Sequence, residues 1–177
     1  DRCERLVLVS SGGLGREVSA LLRALSAPGV EFVLPLVCAP WSRTAGRFAR
    51  DVLGRFGLQP SPEAREIWAA FDSLADGETR GAFMRTLRSV VHPGGQSVSA
   101  QDRLPLAAEI PMLVVWGDRD PIIPAHHAQS AAEVVPTCRV EVFEGVGHFP
   151  HCEAPDRFVD LLTEFVDSTE PASISEA

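Results

Sequence analysis

Basic residues are scarce in this 177-residue chain: 16 Lys and Arg face 24 Asp and Glu, a formal net charge of −8. Affinity for nucleic acid is built chiefly from cationic contacts to phosphate, so this balance argues against a nucleic-acid partner and against an anionic lipid surface. Long apolar runs are missing too. The longest, Phe32 to Trp41, falls short of the about 20 residues that a membrane span needs and is interrupted by Pro35 and Pro40, so no membrane span is expected. The opening residues, DRCERLVLVS, carry no small-residue cleavage site behind a hydrophobic region, and no signal peptide is expected. Cysteine is sparse and scattered: Cys3, Cys38, Cys138 and Cys152 form no C-x-x-C pair and no disulfide framework. Reduced, mostly buried thiols in a cytoplasmic protein are the expectation.

What is present is a globular composition. Hydrophobic residues make up 45% of the chain, and 14 Gly with 14 Pro imply many loops without reaching low complexity. Three short apolar runs read as strands: Leu6 to Val9, Met112 to Trp116, and Arg139 to Phe143, the last alternating as an edge strand does. Helical periodicity follows the second at 124–135 and the third at 155–166, where Phe158, Leu161, Leu162 and Phe165 share one face. Strand and helix in alternation imply right-handed parallel crossovers and an α/β class. Four further amphipathic helices are expected between the first two strands, at 16–25, 47–56, 63–74 and 79–91. The third of these has Ser61 as N-cap and Pro62 at its first position.

Two loops carry candidate chemistry. In WGDRDPIIP (116–124), Asp120 lies just past the carboxyl end of a buried strand, where open α/β sheets place their active sites. A solvated Gly-Asp turn is the other reading of the same residues, and Asp118 is expected to be the more exposed of the two. In EGVGHFPHCEAP (144–155), His148 follows the third strand in a loop whose glycines, Gly145 and Gly147, permit an unusual backbone. Neighbouring strand ends would bring the two loops to one rim. There an aspartate could fix the imidazole tautomer and leave the other ring nitrogen as a general base. Ligands for a metal are also available in His126, His127, His148, His151 and Cys152. Their spacing lacks the pairing on rigid elements usual for zinc, so neither a metal nor a cofactor is expected.

Three stretches, RLVLVSSGGLG (5–15), IPMLVVWGDRDPIIPAHHA (110–128) and VEVFEGVGHFPHCEAPDRFVDLLTEFV (140–166), make the chain resemble the carboxyl-terminal portion of α/β-hydrolase superfamily proteins. The pairing of G-x-x-D-P after one strand with G-H-F-P-H-x-E-x-P before the last helix is the specific part. The resemblance implies Asp120 as catalytic acid and His148 as catalytic base. It also implies a partial fold: the last three strands of an eight-stranded parallel sheet, residues 1–13 and 106–168 in the core, 14–105 as an inserted helical cap, and 169–177 as a flexible tail. The nucleophile elbow G-x-S-x-G is absent from the sequence, and one donor of the oxyanion hole goes with it. The segment alone is therefore expected to be inactive. An amino-terminal part of the same fold is expected to complete the sheet.

Among relatives of that fold, epoxide hydrolases use cap tyrosines, and this chain has no tyrosine at all. Haloalkane dehalogenases use a tryptophan near the halide, but Trp41 and Trp68 sit at helical spacing that suits core packing. The leading expectation is a serine hydrolase of carboxylic esters or related acyl compounds, acting on a small acyl substrate, although the nucleophile (Ser or Asp) lies outside the sequence. SSGGLG also resembles carbon–carbon hydrolases of ring-cleavage products, which usually have Trp where this chain has Phe149. A non-catalytic binding module of the same fold is the third reading.

Overall fold

The computed structural model describes residues 3–173. In chain order it comprises β1 (Leu6–Val9), α1 (Ala20–Ser26), α2 (Val30–Val37), α3 (Pro40–Arg55), α4 (Pro62–Ser73), α5 (Gly77–Val90), β2 (Val91–His92) and β3 (Gly95–Gln96). A 3-10 turn (Leu104–Ala107) then leads to β4 (Met112–Gly117), α6 (His127–Val134), β5 (Arg139–Phe143), α7 (Pro150–Glu153) and α8 (Pro155–Ser168). Two compact units result: Asp1–Ser19 with Gly95–Ala177, and Ala20–Gly94. No single described helix is long and apolar enough to cross a membrane.

The first unit is α/β. Its sheet has the order β1-β4-β5, parallel throughout, with Leu6 opposite Met112 and Leu113 opposite Arg139. All six residues of the central β4 are buried. Side chains alternate between the faces of a strand. Leu113 and Val115 pack with Phe143, Val146, Leu161 and Phe165, so α8 covers one face. The indole of Trp116, from the other set, meets the His127 ring of α6 edge-on with centroids 6.5 Å apart. Each such buried aliphatic or aromatic side chain contributes about 1.5–3 kcal/mol, and this double-sided burial is what fixes the strand.

Residues 14–19 and 95–105, which the resemblance assigns to a cap, group with this unit. Their backbone groups are committed to it: Ala100 N–H donates to the Gly13 carbonyl (2.8 Å), and Ser19 N–H donates to the Ile122 carbonyl (2.7 Å). That second bond, with Gln96 N–H on the Arg16 carbonyl (2.8 Å), explains why the helix expected from residue 16 starts only at Ala20. At the other end, Arg5 holds Thr169 through Nε (3.0 Å) and Nη2 (2.6 Å), and Ala172 N–H donates to the Glu4 carbonyl (3.0 Å). These bonds tie down the described part of the expected flexible tail; residues 174–177 of it lie outside the described residues.

The second unit is helical. Its core is Leu34, Cys38, Leu74 and Met84, with Leu25, Val30, Phe71 and Phe83 packed around them. Ser61 caps α4 by accepting from Ala64 N–H (3.1 Å), and Asp76 caps α5 by accepting from Thr79 N–H (2.7 Å). Helix α2 is not among the helices expected, and it overlaps the apolar run 32–41 with Pro35 inside it. With only eight residues, α2 loses a single internal hydrogen bond to that proline, and burial of Leu34 offsets the loss. Helix α3 begins at Pro40 instead of Arg47, with proline again at the permissive first position.

Candidate active site

Because β4 and β5 run side by side in the same direction, the loops leaving their carboxyl ends share a rim. Gly117 makes the close approach possible. A Cβ there would lie 2.1 Å from the Gly147 carbonyl oxygen and 2.2 Å from that of Val146, so any other residue would force the two loops apart. Arg119 N–H then donates to the Val146 carbonyl (3.0 Å). Asp118, which is exposed, accepts from Gly145 N–H through Oδ1 (2.6 Å), and Gly145 takes a φ of 77°, in the region that favours glycine.

On this frame the structure brings Asp120 and His148 together. Asp120 Oδ1 accepts from the backbone N–H groups of Ile122 (2.7 Å) and Ile123 (2.9 Å), which fixes the carboxylate. The Ile123 carbonyl is in turn held by the buried Trp116 Nε1–H at 3.1 Å. Oδ2 is left to meet His148 Nδ1 at 2.7 Å. The Asp120 side chain is fully buried, whereas that of His148 is 18% exposed. A carboxylate in this position accepts the Nδ1 proton, which leaves the imidazole lone pair on Nε2. Of the two readings of the WGDRDPIIP loop, Asp118 is thus the turn-stabilising residue and Asp120 the partner of the histidine.

Glu153 is a residue that sequence reasoning passed over, although it stands in the G-H-F-P-H-x-E-x-P motif. From α7 its carboxylate accepts from Gly147 N–H (3.1 and 3.2 Å) and from Phe149 N–H (3.3 Å), bracing the backbone on either side of His148. Its spacing from His148 is the signal that could have found it. The metal ligands weighed from sequence are not gathered in one place. His148 is committed to Asp120, and His151 stacks between Phe149 and Phe158 with centroids 6.2 and 5.9 Å away. His126 and His127 lie elsewhere, beside Glu17.

Comparison with known proteins agrees with this architecture. The model of the alpha/beta hydrolase family matches residues 4–161. An uncharacterised protein of Mycobacterium tuberculosis is 38% identical over 179 residues, covering 98% of this chain and 52% of its own length. A pimeloyl-[acyl-carrier protein] methyl ester esterase of Xanthomonas axonopodis is 28% identical over 135 residues, covering 67% and 53%. The chain therefore spans about half the length of the curated relatives it matches. A meta-cleavage product hydrolase from Pseudomonas fluorescens superposes with a TM-score of 0.51 at 22% identity, over 94% of this chain and 57% of that one, a likeness of fold.

Proposed function

Since the chain belongs to the alpha/beta hydrolase family, we propose that it supplies the acid and base of a hydrolase of carboxylic esters or related acyl compounds. The observation that carries this reading is the Asp120–His148 contact of 2.7 Å, made from a carboxylate that is buried and already held by two backbone amides. In the reaction, His148 Nε2 takes the proton of a nucleophilic hydroxyl as its oxygen attacks the acyl carbon. The imidazolium then returns that proton to the departing alkoxide. Asp120 holds the tautomer and stabilises the imidazolium. Water, activated by the same imidazole, releases the acid.

The nucleophile and the oxyanion donors come from the amino-terminal part of the parent protein, which extends the sheet along the free edge of β1. Half-burial of all four β1 residues and the match of this chain to about half of each relative support that assignment. Within the stretch 14–105, the compact helical unit Ala20–Gly94 is assigned to the cap, and the segment alone is inactive. Burial pushes the Cys38 and Cys138 thiols up, and a cytoplasmic setting is part of the same proposal.

Assay of the intact parent with short acyl nitrophenyl esters tests the reading: turnover is expected, with loss on substitution of Asp120 or His148. Absence of ester turnover together with cleavage of a dienoate ring-cleavage product would move the assignment to the carbon–carbon hydrolase. Inactivity on both would favour a binding module.

A further inference from the structure

A second carboxylate–imidazole cluster lies in the sheet-bearing unit and takes no part in the chemistry above. His127, at the start of α6, approaches Glu17 Oε2 at 2.7 Å through Nε2, and His126 Nε2 approaches the same oxygen at 3.6 Å. One donor atom from each of the three residues lies within 4.8 Å of the other two. We propose that Glu17, His126 and His127 form a binding site for a divalent transition metal ion of the zinc class. Two imidazoles and one carboxylate are the borderline donor set that such ions select, and three protein ligands leave a fourth position for water. Tetrahedral bonds of about 2.0–2.1 Å set the ligand atoms roughly 3.3 Å apart. The 2.7 Å contact must open and the wider spacings close, adjustments that the exposed side chains of Glu17 and His126 can make.

His127 is the anchor. Its side chain is 1% exposed, and its ring is fixed by the Trp116 indole and by the backbone of Gly15, where a Cβ would stand 2.3 Å from Nε2. The ring is thus held in place before any ion arrives. Its other ring nitrogen, Nδ1, is buried with no hydrogen-bond partner among the described residues. On metal binding the ring proton moves from Nε2 to Nδ1, where the same lack of an acceptor holds the affinity to a moderate level. Glu17 presents one carboxylate oxygen, Oε2, to both rings. At 61% and 63% side-chain exposure, Glu17 and His126 leave the cluster open to solvent. A bound ion would fasten the segment leading out of β1 to α6, and would raise thermal stability by mass action.

The test uses the intact parent protein, freed of metal by dialysis against chelator and titrated with Co2+ as the coloured stand-in for Zn2+. Saturable uptake of one Co2+ is expected, with a visible absorption band that one equivalent of Zn2+ removes and a metal-dependent rise in Tm. Glu17→Gln and His126→Ala, both at exposed side chains, should each weaken uptake at least tenfold, whereas His151→Ala should leave it unchanged. Absence of saturable uptake, or uptake undiminished by both substitutions, would overturn the proposal. Ester turnover does not enter any of these readouts, so failure here leaves the hydrolase reading standing, and the reverse holds.

Discussion

Two carboxylate–imidazole contacts of equal length, 2.7 Å, sit in the same unit, and they are inverted with respect to burial. In the Asp120–His148 pair the carboxylate is fully buried and the imidazole partly exposed. In the Glu17–His127 pair the imidazole is buried and the carboxylate is 61% exposed. The buried member is the fixed one, so the exposed member decides what the pair can do. A fixed aspartate orients a histidine that can exchange protons with a substrate. A fixed histidine whose second nitrogen faces the interior can take no such part, and presents a ligand atom instead. Distance alone would have made the two pairs look equivalent.

That contrast can be broken at several points. Replacing Asp120 by Asn leaves the shape but inverts the hydrogen bonding, so kcat of the parent for acyl esters should fall by about 10⁴, as loss of the correct tautomer does in other triads. Retention of activity within tenfold would remove Asp120 from the reaction. Next in size is Gly117→Ala, whose Cβ would meet the Gly147 carbonyl at 2.1 Å. It should cost about 3 kcal/mol or more of stability in urea unfolding and should disrupt the Asp120 rim more than the Glu17 cluster.

Glu153→Gln tests the brace. Loosening the loop around His148 should lower kcat about 10- to 100-fold with little change in Tm, and a fall in Tm without a change in kcat would make Glu153 purely structural. The smallest effect is expected where a carboxylate has no imidazole at all. Asp76 sits well below the usual carboxylate range because it accepts from Thr79 N–H at the start of α5. A carboxylate whose pKa is depressed on folding stabilises above its unfolded pKa, here near 3.8, and loses that contribution as pH falls through the folded value. Asp76→Ala should therefore lower Tm slightly at pH 7, with the difference shrinking below pH 3.8. A difference that does not shrink as pH falls below 3.8 would contradict the cap assignment.

The sheet and the Asp120–His148 contact were legible because local pattern and tertiary role coincide there. Leu6–Val9 and Arg139–Phe143 are strands with the bounds that the apolar runs imply, and β4 gains only Gly117. Asp120 and His148 follow such strands within three and five residues, so parallel topology brings their loops to one rim. Contacts between residues distant in sequence were not legible. Glu17 and His127 are 110 positions apart, and no spacing rule connects them. The bond from Ser19 to Ile122 shortens a helix that periodicity alone would begin at residue 16. Helix α2 was hidden for the opposite reason: Pro35 disfavours it locally, and packing of Leu34 and Cys38 overrides the local preference.

The comparison is tested most directly by making the same substitution on both sides of it: His148→Gln and His127→Gln in the intact parent, each verified as folded by circular dichroism, with kcat read on one short acyl nitrophenyl ester. The account predicts a loss of at least about 10⁴ for His148→Gln and a change of no more than a few-fold for His127→Gln. Surviving activity in His148→Gln, or equal losses in the two variants, would contradict it.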